Sequence, residues 1–281
     1  ARTGPFLGTF VLSGLLFVAS GVIVQLLSEK FSLSEDQNKW FGAVPVFGLF
    51  FLLEWHMNWA ALSGMEIIFY VFIILAFFLS LTIKKSYWLS GLLVGLALWV
   101  RPDGLTLLGP LYFVFVLSKD EKEEKWKKFW QSIIAFLPLM IGYFVFNKLT
   151  ADSWLPNTFY AKQSEYAILY QTSIVKRLLR MIGQPWISSA IILLPGFIYQ
   201  AFLSVRKKNW LLISMYLWAF GYVLIYAVRL PVIYQHARYL MPTMPIFHFL
   251  GILGTIRFLQ QIEISQERDR LLRFGSSVLA I

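Results

Sequence analysis

The chain has 281 residues, of which 58% are hydrophobic and 14% are charged, and its formal net charge is +10. A soluble domain of this length would have about 45–50% apolar and about 25% charged residues, so the composition excludes an ordinary soluble protein and predicts a polytopic membrane protein. The basic residues stand in short clusters between apolar runs, which is typical of membrane topology, and we expect no nucleic-acid partner. Because there is no cysteine, disulfides, thiolate chemistry and cysteine metal sites are also excluded.

Apolar runs, read from the N-terminus, predict an all-α bundle of transmembrane helices. A helix needs about 20 apolar residues to cross about 30 Å of hydrocarbon. The runs fall near residues 6–27, 41–53, 66–83, 87–100, 104–118, 129–147, 187–205, 209–228 and 238–258, and a last one begins near residue 271. The runs at 41–53, 87–100 and 104–118 are too short to cross alone, so they predict short or broken, partly re-entrant helices.

The two ends of the chain predict that residues 1–281 form a single transmembrane domain within a longer protein. The chain begins "ARTGPFLGTF" without methionine, and it closes in what reads as the start of another membrane segment. The sequence contains no internal repeat and no low-complexity tract. We therefore expect the domain to be truncated at both ends.

Clusters of basic residues predict which side of the membrane each loop occupies. With alternating segments, one side collects residues 28–40, 84–85, 119–128, 206–208 and 257–273. The excess of lysine and arginine makes this the cytoplasmic side. The extracytoplasmic side then collects residues 54–65, 101–103, 148–186 and 229–237, and these hold nearly all the unusual polar residues.

The predicted outer loop 148–186 contains an amphipathic stretch at 166–186. Apolar residues stand at 168, 169, 174, 175, 178, 179 and 182, while Lys176, Arg177 and Arg180 occupy the other face. This spacing predicts a helix. It either lies in the plane of the outer lipid headgroups or connects two segments while packed on the protein.

The turn "VRPDG" sets a cation and an anion inside an otherwise apolar run. Pro102 lacks a backbone N–H and disfavours helix at Arg101, so we expect the helix to break there. In one interpretation Arg101 and Asp103 neutralise each other in a surface turn. In the other they face a cavity, where Arg101 binds an anion and Asp103 positions a hydroxyl or a cation.

Two further motifs on the predicted outer side carry polar residues, and so does the start of the last long run. In "LSGME", Ser63 and Glu66 have the spacing of a capping box, although Glu66 is also placed to contact a substrate. In "LPNTFYAK", a turn at Pro156 and Asn157 precedes Lys162, a cation that opposes the positive-inside trend. In "YQHARYLMPTMP", His236 and Arg238 stand at the outer start of a membrane run, and they are likewise not explained by the positive-inside trend.

Taken in order, "SGME", "VRPDG", "LPNTFYAK" and "HARYLMPTMP" resemble motifs of bacterial membrane glycosyltransferases of the GT-C fold. The resemblance is greatest to the mycobacterial terminal arabinofuranosyltransferase group, and it spans roughly residues 60 to 245. It implies inverting transfer of a sugar from a polyprenyl-phosphate donor to an extracytoplasmic glycan, lipid or protein, in a bacterial cytoplasmic membrane. The roles it implies are catalytic for Asp103 and Glu66, and substrate-binding for Arg101, Asn157, Lys162, His236 and Arg238.

The N-terminus departs from the pattern of that family. GT-C enzymes usually carry the principal catalytic acid in the first outer loop, whereas "GPFLGTF" has no acid, so we expect that acid upstream of residue 1. The alternative is a non-catalytic subunit of a larger membrane complex, and a transporter with a basic cavity is a third possibility. No metal site is predicted, although the carboxylates are chemically able to hold a divalent cation.

Overall fold

The computed structural model describes the backbone of residues 4–31, 44–82, 87–118 and 120–278, with side chains for those within 6–187 and 190–262. These ranges are helical and contain no strand, which confirms the all-α prediction. The helices are α1 (Gly4–Glu29), α2 (Val46–Leu53), α3 (Trp55–Leu62), α4 (Ile67–Thr82), α5 (Tyr87–Val100), α6 (Leu108–Leu117), α7 (Lys122–Ala151), α8 (Asn157–Glu165), α9 (Ile174–Gly183), α10 (Leu194–Arg206), α11 (Trp210–Arg229), the single turn α12 (Tyr234–Ala237) and α13 (Met244–Val278). Short 3₁₀ segments connect them at Pro102–Leu107, Ala167–Gln171, Gln184–Trp186, Ser188–Leu193 and Met241–Thr243.

Within the described residues, four helical segments are long and apolar enough to cross a membrane. They are Phe6–Glu29, Lys122–Ala151, Trp210–Arg229 and Tyr234–Ile262. A fifth span results if the pair Ile174–Trp186 and Ala190–Arg206, bent by 97°, is counted as one broken span. These helices indicate a membrane protein. The predicted short elements are confirmed, because α2, α5 and α6 have 8, 14 and 10 residues.

The predicted break at Arg101 is present. Helix α5 ends at Val100, and Arg101 is extended, with φ −151° and ψ 138°. Pro102 then opens the 3₁₀ segment that leads into α6, since proline suits a first helical position but cannot continue the preceding helix. A Cβ at Gly104 would lie 2.4 Å from the carbonyl carbon of Ala97, so the chain folds back too closely for any other residue.

Three predictions about element boundaries are wrong. Ser63 does not begin α4; it ends α3, and its hydroxyl donates to the Ala60 carbonyl oxygen at 2.7 Å. The run at 187–205 starts as a 3₁₀ segment and becomes α-helical only from Leu194. No new segment starts near 271, because α13 runs unbroken from Met244 to Val278; no proline follows Pro245 in this helix, and "QERDRLLR" contains good helix formers.

The Arg101 turn and the basic loop before α7 lie at opposite ends of α5. The Lys128 ammonium lies 5.8 Å from the ring of Tyr87, at the start of α5, so the basic loop before α7 lies at the opposite end of α5 from Arg101. We call the end that carries Arg101 the site end. The predicted loop at 84–85 and most of 28–40 lie outside the described residues.

Helix α9 is the α-helical part of the predicted amphipathic stretch 166–186. Met181 is fully buried, and Leu178 and Ile182 pack against the core. Val175 and Leu179 are 62% and 66% exposed. One face of α9 therefore packs on the protein, while the other presents an exposed apolar strip.

Two glycines let α10 and α13 pack closely. A Cβ at Gly254 would lie 1.8 Å from the carbonyl oxygen of Gly196. Close contacts between small residues are a common way to pack membrane helices, because they bring the backbones together.

Replacing Gly254 with alanine is expected to lower the free energy of unfolding by about 1–3 kcal/mol, because the two backbones must separate. The matched control is Gly221→Ala on α11, where a Cβ meets nothing within 4 Å and the better helix former should be neutral or stabilising. Denaturant unfolding of the purified protein in detergent measures both. Equal effects of the two variants would contradict the packing described.

Candidate functional site

Arg101 is the centre of a buried polar network at the site end. Its residue exposure is only 7%. Nε donates to both carboxylate oxygens of Asp103 at 3.2 and 3.3 Å, and Nη1 donates to Oε1 of Glu66 at 3.0 Å. Nη2 donates to the hydroxyl of Tyr226 on α11 at 2.9 Å. The turn after α5, the start of α4 and the end of α11 thus meet at one guanidinium group.

Asp103 is held from several directions. Besides Arg101, it accepts hydrogen bonds from the Tyr226 hydroxyl, at 2.7 Å, and from the Tyr222 hydroxyl. Its side chain is only 12% exposed. A carboxylate that is surrounded by donors and secluded from solvent is poorly placed to take a proton from a substrate. The geometry therefore fits Asp103 for holding Arg101 in place.

Glu66 differs from Asp103 in its access to solvent. Its side chain is 50% exposed, and its contact in the network is the ion pair with Arg101. It precedes α4, which starts at Ile67. Of the two carboxylates predicted to be catalytic, Glu66 is the one that an incoming hydroxyl group can reach.

Three cations lie around the ring of one buried tyrosine, Tyr239. The distances to its centroid are 4.8 Å from Cζ of Arg238, 5.3 Å from Nζ of Lys162 and 5.7 Å from Cζ of Arg101. Cations are attracted to the face of an aromatic ring. Nη2 of Arg238 also donates to the Tyr239 hydroxyl at 2.7 Å. The structure thus brings together three cations from sequence motifs that are far apart.

We call this group the Tyr239 cluster: Glu66, Arg101, Asp103, Lys162, Arg238 and Tyr239. Its three cations face two carboxylates, so its formal charge is +1. Lys162 has no acidic partner among the residues that the structure describes. A cluster with more cations than anions favours binding of an anion such as phosphate.

Two predicted site residues lie outside the contacts of the cluster. Asn157 is exposed at the start of α8, where its side-chain oxygen accepts a bond from Ser153 at 3.4 Å. His236 is exposed and lies against two tryptophans, Trp55 and Trp59. Among the described residues, neither side chain has a contact with Arg101.

The tyrosines of the network were missed in the sequence. Trp218, Tyr222 and Tyr226 recur every four residues on α11, and their rings lie 5.4 and 5.0 Å apart. Tyr226 in turn stacks on Tyr239 at 5.7 Å. The signal was available, because aromatic residues at i and i+4 share one helix face, and two hydroxyl groups on that face need partners inside a membrane.

The described residues offer few side chains that could bind a metal ion. Among the described residues there is no group of three or more histidine, aspartate or glutamate side chains placed to hold a metal ion. Both carboxylates of the Tyr239 cluster are bound to Arg101.

Comparison of the chain with protein-family models, with curated proteins and with solved structures gave no match.

Proposed function

We propose that this chain is the membrane domain of a glycosyltransferase. It would transfer a sugar from a polyprenyl-phosphate donor to an acceptor outside the cytoplasm, in a bacterial cytoplasmic membrane. The observation that carries the proposal is the Tyr239 cluster, in which Arg101, Lys162 and Arg238 surround one ring beside the accessible carboxylate of Glu66. These are groups that a lipid phosphate and a nucleophilic hydroxyl require.

In this proposal the cations of the cluster act on the leaving phosphate, and its accessible carboxylate acts on the attacking hydroxyl. The acceptor hydroxyl attacks the anomeric carbon, and the bond from that carbon to the phosphate oxygen breaks, leaving its electron pair on the phosphate. Lys162 and Arg238 stabilise the charge that develops on the leaving phosphate. Glu66, rather than the upstream acid that the family pattern implies, takes the proton of the hydroxyl, because its side chain is half exposed. A single displacement inverts the configuration at the sugar.

An apolar cavity near the cluster supports a lipid-linked donor. It lies between α6 and α11 and has a volume of about 310 Å³. Its walls include Thr106, Pro110, Phe113, Leu217, Trp218 and Tyr222. The Tyr222 hydroxyl bonds Asp103, so a hydrocarbon chain in this cavity would end close to the polar network.

A second candidate function is a non-catalytic subunit of a larger membrane complex. One observation favours it: Nε, Nη1 and Nη2 of Arg101 all have partners within the chain. A purely structural ion-pair network would look the same at this residue. The two candidate functions make different predictions for Lys162 and Arg238, because a purely structural network around Arg101 does not need these two cations.

Replacing Lys162 or Arg238 with alanine is therefore the test. A lost charged hydrogen bond to phosphate costs about 1.5–3 kcal/mol, or roughly 10- to 150-fold in rate if the contact exists in the transition state. The assay uses the full-length protein in lipid vesicles with a polyprenyl-phosphate sugar, and it monitors folded yield alongside. Lys148→Ala, which removes an exposed cation paired with Asp152, is the control and should retain activity.

Two results would contradict the proposal. The first is a folded wild-type protein that transfers no sugar from any polyprenyl-phosphate donor, which would favour the subunit. The second is transfer that is unchanged in both Lys162→Ala and Arg238→Ala.

A further inference from the structure

The chain turns left-handed immediately before two members of the Tyr239 cluster. Gln235, His236 and Ala237 have φ values of 52°, 57° and 55°, and Arg238 and Tyr239 follow. Residues with a Cβ atom adopt this conformation at an energetic cost, usually singly. Here three occur in succession without a glycine, so the surrounding structure must hold the turn.

The His236 ring attaches the turn to helix α3. It lies edge-on to two rings of α3, with centroids 5.0 Å from Trp55 and 5.2 Å from Trp59, at interplanar angles of 87° and 71°. Aromatic pairs prefer such edge-to-face arrangements. The next residue, Ala237, is fully buried.

The tryptophan surface that receives His236 is itself fixed. The Trp55 ring packs on the His56 ring, with centroids 3.6 Å apart. His56 is buried, and its Nδ1 lies 2.6 Å from Oε1 of Glu54. The other oxygen of Glu54 accepts the Met57 N–H at 3.0 Å, which caps the start of α3. His236 therefore rests on a rigid support.

The turn sets the position and direction of the Arg238 backbone. The Arg238 N–H donates to the Gln235 carbonyl oxygen at 3.2 Å across the turn. From there its guanidinium reaches the Tyr239 ring and hydroxyl, and Nη1 lies 3.8 Å from Sδ of Met65. If the turn relaxed to a right-handed conformation, the backbone would carry Arg238 in a different direction.

We propose that His236 is a positioning residue: its ring, held by Trp55 and Trp59, stabilises the left-handed turn and so directs Arg238 into the Tyr239 cluster. This role replaces the direct substrate contact that the sequence predicts for His236. Its effect on catalysis rests on the proposed function, because Arg238 matters there only if the cluster binds a phosphate.

Three substitutions of His236 separate positioning from substrate contact. His236→Ala removes the ring but keeps the cost of the left-handed backbone, so we expect transfer to fall roughly 5- to 30-fold. His236→Gly also removes the ring, yet glycine adopts the turn freely, so the loss should be smaller. His236→Phe keeps the edge-on contact and should stay near the wild-type rate. If Phe is as harmful as Ala, the imidazole itself contacts the substrate and the proposal is wrong.

A double-substitution cycle tests whether His236 acts through Arg238. In the Arg238→Ala background, His236→Ala should cause no further loss of transfer, or of affinity for a polyprenyl phosphate without sugar. Losses that multiply independently would overturn the proposal. If the wild-type protein neither binds nor transfers, the proposed function fails. The unfolding temperature then still tests the structural step, because His236→Ala should lower it whereas His236→Phe, which keeps the edge-on contact, should not; equal losses in the two variants would refute that step.

Discussion

Replacing Arg101 with alanine is expected to destabilise the protein by about 3–5 kcal/mol, because it leaves a buried carboxylate without its ion-pair partner. Asp103 would keep the hydroxyls of Tyr222 and Tyr226, but hydroxyl groups do not neutralise its charge. The free energy of unfolding in detergent, measured by denaturant titration, checks this value.

Two variants identify the cause of that destabilisation. Glu66→Gln removes the other carboxylate from Arg101, but Glu66 is half exposed, so unfolding should change by less than about 1 kcal/mol. The double variant Arg101→Met with Asp103→Leu removes both buried charges and should be less damaging than Arg101→Ala alone. If Arg101→Ala is as stable as wild type, the network around Arg101 does not stabilise the fold, and this prediction is wrong.

The break at Arg101 could be predicted from the sequence because its cause is local. Proline acts on its own residue and on the one before it, so Pro102 determines where α5 ends whatever surrounds it. The same reasoning gave short elements at α2, α5 and α6. In each case one or two residues and the apolar length were sufficient.

The partners of Arg101 could not be predicted in this way because they are distant in sequence. Tyr226 lies 125 residues away and Glu66 lies 35 residues away. The capping-box interpretation of Ser63 and Glu66 used only local spacing, and it was wrong about Ser63, which ends the preceding helix. The ion pair between Arg101 and Glu66 is a tertiary contact, so no local sequence pattern predicts it.

The left-handed turn at His236 shows a different limit of sequence reasoning. Glycine, asparagine and aspartate mark left-handed positions, and none of them occurs at 235–237. In our proposal the conformation depends instead on the His236 ring, which meets Trp55 and Trp59 on α3. The sequence predicted a substrate contact for His236, and the positioning role is proposed from tertiary contacts that no local pattern contains.

Replacing Glu66 with glutamine is expected to lower sugar transfer by roughly 10²- to 10⁴-fold, the contribution usual for a general base. Glutamine keeps the shape and the hydrogen bond to Arg101 but cannot take a proton. Asp103 cannot replace it, because its oxygens are occupied by Arg101 and two tyrosine hydroxyls. The measurement is the single-turnover rate with saturating donor, since this isolates the chemical step from binding.

The control for this variant is Glu165→Gln on α8, which makes the same charge change at an exposed acid and should leave the rate unchanged. Asp103→Asn provides the complementary case: it should lower both the rate and the unfolding temperature, whereas Glu66→Gln should lower the rate alone. If Glu66→Gln retains transfer within about threefold of wild type while the cation variants lose it, the proton is accepted elsewhere in the full-length protein. The cluster would then serve the leaving phosphate only, because its other carboxylate is already committed to Arg101.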